Sequence, residues 1–159
     1  MENGSEDTEY LSHEGFLRLK KELKHLKEGR RKEIASRLEY AKSLGDLAEN
    51  AEYQEAKEEQ LVLEARIAEL EDVLSRAVLI SHSESSSFVD IGSTVKSQKE
   101  GSPEVETYVI VGSEEVDPEH RRISNESPLG RALMGKKIGD EVSLKTPKGE
   151  MRLRIIEIL

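Results

Sequence analysis

The residues best placed to do chemistry are three acids in one short stretch. Asp46, Glu49 and Glu52 lie within Gly45-Asp46-Leu47-Ala48-Glu49-Asn50-Ala51-Glu52-Tyr53. Carboxylate oxygens are hard donors that suit Mg²⁺, which takes one or two protein carboxylates and keeps much of its water. Two acids cannot complete a magnesium cage, so a partner would have to supply the remaining ligands. A structural reading stands beside this one. Gly45 suits the left-handed end of one helix, Asp46 suits the N-cap of the next, and Glu49 falls three residues on, as in a capping box. The two readings are compatible, because a cap can hold a carboxylate still before it meets an ion.

A second set is basic. Lys24, Lys27, Arg30, Arg31, Lys32, Arg37 and Lys42 precede the acidic stretch, and Lys57 follows it. Such a set is either a salt-bridged helix face or a track that guides a nucleic-acid strand toward the acids. Tyr53 could stack on a base, yet its spacing also places it in a packing seam. The four His (13, 25, 82, 120) share no ligand spacing, and no phosphate-cradling glycine loop or nucleophile arrangement is present. The chain holds no complete active site.

The elements that position these groups follow from periodicity. Tyr53, Ala56, Gln60, Leu63, Ile67, Leu70, Leu74 and Ala77 alternate spacings of three and four, the seam of a coiled coil. Upstream, Phe16, Leu19, Leu23 and Leu26 do the same, and then steps of four run through Arg30, Ile34, Leu38 and Ala41. The change near Gly29 resembles a stutter, which locally unwinds a supercoil. Two helices joined by so short a turn must be antiparallel. At ~1.5 Å per residue each of about 30 residues spans roughly 45–50 Å, with the acids at the tip. From residue 18 to 42 there are ten Lys/Arg against four Asp/Glu, and from 46 to 72 two against ten. Opposite charges across a seam fix its pairing.

These features set the expected organisation: an acidic, disordered leader at 1–10, an antiparallel coiled-coil arm at 11–80 with its tip at 45–53, a Ser-rich linker at 81–90, and an α+β domain at 91–159. In the last of these, candidate strands are Ser93–Ser97, Val105–Gly112, Glu141–Thr146 and Glu150–Ile158, the final two forming a hairpin about Pro147-Lys148-Gly149. Ser127-Pro128 opens a short helix that Gly135 ends.

Composition narrows the function classes. The 159 residues carry a net charge of −9, with 36% charged residues, no Cys and no Trp. There is no disulfide framework or thiolate metal site. Apolar runs reach only four residues, as at 77–80, so no segment spans a bilayer. Overall acidity argues against free duplex DNA as a ligand. The expected setting is the cytoplasm, with the chain a monomer.

The tip stretch, in the form GDLxENAEY, resembles the tip motif of the bacterial Gre transcript-cleavage factor family, on its GreA side. The likeness runs over about 145 residues. Leu11-Ser12-His13-Glu14-Gly15 is similar to the opening L-T/S-x-E-G, and Arg30-Arg31-Lys32-Glu33-Ile34 to R-R-P-E-I, with Lys32 where Pro is usual. Tyr108-Val109-Ile110-Val111-Gly112 matches Y-x-I-V-G. Ser127 to Lys136 matches S-P-I-A-R-A-L-I-G-K, with Gly130 for the usual Ala. Thr146-Pro147-Lys148-Gly149-Glu150 matches T-P-x-G-E.

The resemblance implies a fold and a mechanism. The coiled coil would enter the secondary channel of bacterial RNA polymerase, and an FKBP-like C-terminal antiparallel-sheet domain would dock at its rim. The factor would not be an enzyme itself. Asp46 and Glu49 would help hold an Mg²⁺ shared with the polymerase active site, stimulating cleavage of the backtracked nascent RNA 3′ end. Asn50, Glu52 and Tyr53 would support the tip, and Arg31, Arg37 and Lys57 would guide RNA. Ser127, Pro128, Arg131, Gly135 and Lys136 would dock on polymerase. The alternative is a channel-entering paralogue that inhibits without cleavage, although altered tip acids would mark one and these are intact. An isomerase is disfavoured, because residues 88–159 hold only Phe88 and Tyr108 as aromatics and such pockets are aromatic-lined.

Overall fold

The computed structural model describes residues 8–46, 50–80 and 87–159. The chain divides into two compact units: residues 16–76 form one, and residues 1–15 with 77–159 form the other.

The first unit is a helical hairpin. Helix α1 (His13–His25) runs through a π-helical turn, Leu26–Arg30, into α2 (Arg31–Ser43), and α3 (Ala51–Arg76) returns. The π turn falls at the stutter near Gly29, where one wide turn absorbs the change in apolar spacing. Ile34, Leu63 and Ile67 form the buried seam, with Leu23, Leu26 and Leu38 packed against it. Toward the other end the seam shifts: Val73 is buried, whereas Leu74 is only half-buried. The expected seam residue Ala77 is not helical at all, because α3 ends at Arg76 and strand β2 (Ala77–Leu79) follows.

Charge asymmetry sets the antiparallel register. Lys27 pairs with Glu71, Arg31 with Glu64 and Arg37 with Glu52, so sequence separation shrinks steadily toward the tip. Arg66 reaches back to Glu22 at 3.0 Å, reversing the usual polarity of the two helices. Exposed pairs of this kind each contribute about 0–1 kcal/mol. Their larger effect is to exclude slipped registers.

The second unit centres on a five-stranded sheet of order β5-β4-β3-β7-β6. Its strands are β3 (Thr94–Lys99), β4 (Val105–Val111), β5 (Arg122–Ser124), β6 (Glu141–Thr146) and β7 (Gly149–Ile158). The four anticipated strands are present within one or two residues of their expected ends. All pairings are antiparallel except β4 with β5. Helix α4 (Pro128–Leu133) covers one face, and Val89, Val95, Ile110, Leu133, Val142 and Ile155 make the core.

Two boundaries differ from expectation. Glu9 and Tyr10, assigned to a disordered leader, lie in strand β1 (Glu9–Leu11), which pairs in parallel with β2. Leu11 is fully buried, and this anchors the strand. Gly112 makes room for it: a Cβ there would sit 1.7 Å from the Tyr10 carbonyl oxygen. Val89, inside the expected linker, is 1% exposed and exchanges backbone hydrogen bonds with residues 135 and 136. An apolar residue beside a Ser-rich run was the available signal. The leader at 1–7 and the Ser-rich stretch at 81–86 lie outside the described residues.

Candidate functional site at the hairpin tip

Helix α2 closes at Leu44, whose N–H donates to the Ala41 carbonyl at 3.2 Å. Gly45 follows with φ +119°, a backbone angle that favours glycine. Asp46 is exposed. Glu49, the second expected metal-directing acid, lies outside the described residues.

The cap of α3 differs from the expected one. The helix begins at Ala51, and its N-cap is Asn50, whose Oδ1 accepts the Tyr53 N–H at 3.1 Å. The Asn50 carbonyl accepts the Gln54 N–H at 3.1 Å, the first full helical bond. Asn50 also donates through Nδ2 to the Ala41 carbonyl at 2.6 Å. One side chain thus caps the start of α3 and satisfies a terminal carbonyl of α2. An ionised carboxylate accepts but cannot donate, so an Asp could not make both bonds, and the cap is Asn50 rather than Asp46. Glu52 accepts both Nε and Nη2 of Arg37, at 3.0 and 2.9 Å. Tyr53 is half-buried in the seam.

The three expected RNA-guiding cations all have protein partners. Arg31 makes a bidentate pair with Glu64, at 2.8 and 2.7 Å. That pairing raises the Arg31 pKa and lowers that of Glu64. Arg37 reaches Glu59 at 2.7 Å as well as Glu52, and those hydrogen bonds, to Glu59 first, push its pKa further up. Lys57 donates to Gln60 at 3.2 Å. In the free protein Arg31 and Arg37 therefore lock α2 to α3.

The expected docking segment forms α4 and its exit. Ser127 caps the helix, accepting the Gly130 N–H at 3.0 Å and donating to the Ser124 carbonyl at 2.7 Å. Pro128 occupies the first turn, where its missing N–H costs nothing. Gly130 is buried, and a Cβ there would lie 2.0 Å from the Ser124 carbonyl oxygen, so this backbone leaves room only for glycine. Gly135 has φ +73° and ends the segment. Pro128, Arg131, Gly135 and Lys136 are exposed side by side in sequence, while Leu133 beneath them is fully buried.

One constellation escaped the sequence reading. Glu115, whose side chain is 2% exposed, accepts the Ser12 N–H and hydroxyl, each at 2.6 Å, and Arg122 Nη2 at 3.0 Å. Ser12 Oγ in turn accepts the Gly15 N–H at 2.9 Å, which makes Ser12 the cap of α1. The cap itself was legible in Ser12 followed by Glu14-Gly15; its buried partner 103 residues away was not.

Among the described residues no three His, Cys, Asp or Glu side chains are grouped to hold a metal. No described helix is long and apolar enough to cross a membrane. Two family models match the chain: "Transcription elongation factor, N-terminal" over residues 9–79, and "Transcription elongation factor, GreA/GreB, C-term" over residues 84–159. The chain is 48% identical over 149 residues to transcription elongation factor GreA of Macrococcus caseolyticus, covering 93% of this chain and 94% of that one. It is 46% identical over 155 residues to the GreA of Chloroflexus aggregans, covering 97% and 99%. Among solved structures, GreA factor homolog 1 of Thermus thermophilus is 32% identical, covers 96% of this chain and 99% of its own, and superposes with a TM-score of 0.45.

Proposed function

The chain belongs to the GreA/GreB family of transcription elongation factors, and on that footing we propose that it rescues arrested bacterial RNA polymerase. The helical hairpin enters the secondary channel and stimulates the polymerase's own Mg²⁺-dependent cleavage of backtracked nascent RNA at its 3′ end. The protein is an accessory factor without an active site of its own, and it works in the cytoplasm as a single chain.

The observation that carries this reading is the Asn50 bridge. It joins the end of α2 to the first turn of α3. Asp46 is thereby exposed in the connection without being required as the cap of α3. Asp46 and Glu49 would hold the ion. Their carboxylates are the donor type Mg²⁺ prefers, in the number it takes from one protein. Once bound, such an ion supplies an activated water and stabilises the leaving oxygen. Asn50 orients the turn. Glu52 holds Arg37, and Tyr53 packs the first turn of α3 into the seam. Ser127, Pro128, Arg131, Gly135 and Lys136 dock on the polymerase rim.

The test is RNA cleavage in a stalled, backtracked bacterial elongation complex with Mg²⁺. Three conditions are compared: no factor, native protein, and the double variant Asp46→Asn/Glu49→Gln. Native protein is expected to shorten the RNA 3′ end rapidly. The variant is expected to lose that activity and still compete for polymerase. Native protein that binds polymerase without raising cleavage would establish the inhibitory alternative instead.

A further inference from the structure

On strand β7, Leu153 and Ile155 are buried, and Ile155 joins the core beneath α4. Alternation along the strand therefore sets Arg152 and Arg154 on the opposite face of the sheet, ~7 Å apart. Gln98 and Glu141 lie directly across from Arg154 on the two neighbouring strands. The turn after β3 closes the end of this face. The Glu100 N–H donates to the Arg152 carbonyl at 2.9 Å, and Gln98 Nε2 donates to the Ser102 carbonyl at 3.1 Å. These groups line a cavity of about 380 Å³. Lys99, Arg152 and Arg154 bring three cations to it, against the carboxylates of Glu100 and Glu141. That excess stands in a chain of net charge −9. Most of the donors are unused. The Arg152 side chain makes no hydrogen bond among the described residues, with Glu100 and Glu150 held at 3.8 and 3.6 Å. Arg154 makes one side-chain bond, from Nη2 to Glu141 at 2.6 Å. Lys99 forms no ion pair among the described residues.

We infer that this cavity binds a small oligophosphate anion, two or three linked phosphates, free or as the tail of a nucleotide. Each guanidinium is a planar fork that matches two oxygens of a phosphate. Two forks at this separation suit a chain of phosphates, whereas one phosphate, or one carboxylate of a protein partner, would engage a single fork. Glu100 and Glu150 compete weakly, because ion pairs between exposed groups at such distances are easily exchanged. The wall is set before the anion arrives, since the turn is tied to β7 and to Gln98 by the bonds above. The base of a nucleotide finds no platform there: Pro103 and buried Leu153 are the apolar residues of the lining, and no ring is among them. Recognition is therefore of the phosphate chain. The inference is independent of the polymerase reading and uses none of the residues assigned to it.

The experiment titrates the full-length protein, free of divalent metal, with sodium tripolyphosphate, ATP and inorganic phosphate. Calorimetry gives the affinity, and amide shifts in ¹H–¹⁵N spectra give the place. Native protein is expected to bind tripolyphosphate saturably, more weakly as salt is added, with shifts at Gly101, Ser102 and residues 152–154. ATP should bind about as tightly, and inorganic phosphate at least about tenfold more weakly. Arg152→Gln and Arg154→Gln should each weaken tripolyphosphate about tenfold, equivalent to ~1.4 kcal/mol. Glu141→Gln, which frees the Arg154 fork, should tighten it about threefold, an effect that a merely damaged fold would not produce. Circular dichroism checks each variant. No saturable binding to native protein, shifts confined to the helical hairpin, or arginine variants that bind as native would each overturn the site. ATP binding far more tightly than tripolyphosphate would overturn recognition through the phosphate chain.

Discussion

Ser12 gives both of its donors to one carboxylate: its backbone N–H and its hydroxyl each reach Glu115 at 2.6 Å. Arg122 approaches the same group at 3.0 Å and donates through Nε to the Glu115 carbonyl at 3.2 Å. Gly15 lies so close that an added Cβ would fall 2.5 Å from the Glu115 carboxyl. A negative group at a helix N-terminus also meets the positive end of the helix dipole. The start of α1 and the turn at Ser113–Glu115 are therefore joined through a buried, charge-assisted network.

Glu115→Ala should destabilise the sheet unit substantially. It strands two donors of Ser12 and leaves Arg122 without its carboxylate. Hydrogen bonds to a charged group contribute roughly 1.5–3 kcal/mol each, and breaking a network costs more than removing an exposed pair. Urea unfolding followed by circular dichroism should show a lowered midpoint. Glu115→Gln, which keeps one acceptor, should fall between the two. A midpoint unchanged in Glu115→Ala would mean that the network carries no net stability.

Asn50 and Asp46 should separate stability from activity. Asn50→Ala removes the α3 cap and the tie to Ala41, and loss of a cap typically costs about 0.5–2 kcal/mol. Asn50→Asp keeps the acceptor for Tyr53 but sets a carboxylate against the Ala41 carbonyl, so it should not restore native stability. Asp46→Asn should leave the thermal midpoint near native, because Asp46 does not cap α3. Hydrogen exchange of the Tyr53 and Gln54 amides checks the cap directly. Faster exchange is expected in Asn50→Ala and native-like exchange in Asp46→Asn.

The pair Glu106 and Tyr108 should shape the pH dependence at both ends. Tyr108 donates to Glu106 at 2.5 Å, and Arg121 pairs with Glu106 at 2.9 Å while lying over the Tyr108 ring at 5.9 Å. The Tyr108 hydroxyl, and then Arg121, hold Glu106 below its ordinary 4.5. Its contribution is present above 4.5 and is lost as pH falls through the lower folded value. Burial first, and then Glu106, push Tyr108 from 10.0 up to about 12. Its contribution is present below 10 and is lost as pH rises toward 12. Tyr108→Phe should flatten the alkaline limb of a stability–pH curve and soften the acid limb. Identical native and variant curves would remove this pair from the pH response.

The two-part organisation was readable from the chain because each part obeys a local rule. Leu63, Ile67 and Leu70 keep a helical period, and Val142 and Leu153 sit in alternating runs beside a Pro-Lys-Gly turn. Gly45 was readable as a helix stop because its backbone angle demands glycine. The stutter near Gly29 was visible in the spacing, and the wide turn at Leu26–Arg30 is its physical form. The tip acids and the Ser127–Pro128 helix start depend on neighbours only a few residues away, and so they too stood in the chain.

What spacing could not supply was the partner of each polar group. Asp46 and Asn50 are both good capping residues, and the cap is Asn50, whose amide also donates to the Ala41 carbonyl on the other helix, a bond a carboxylate cannot make. Arg31 and Arg37 read as a track for RNA, and spacing did not show that pairing in register sets them against Glu64 and Glu52 in the free protein. Glu9 to Leu11 are too few to signal a strand, and they form one because Gly112 leaves the space and β2 the edge. Nothing in its spacing marks Glu115, and only folding carries Ser12 and Arg122 to it. Periodicity is carried by covalent neighbours, but a hydrogen-bond partner 103 residues away exists only once the chain has closed.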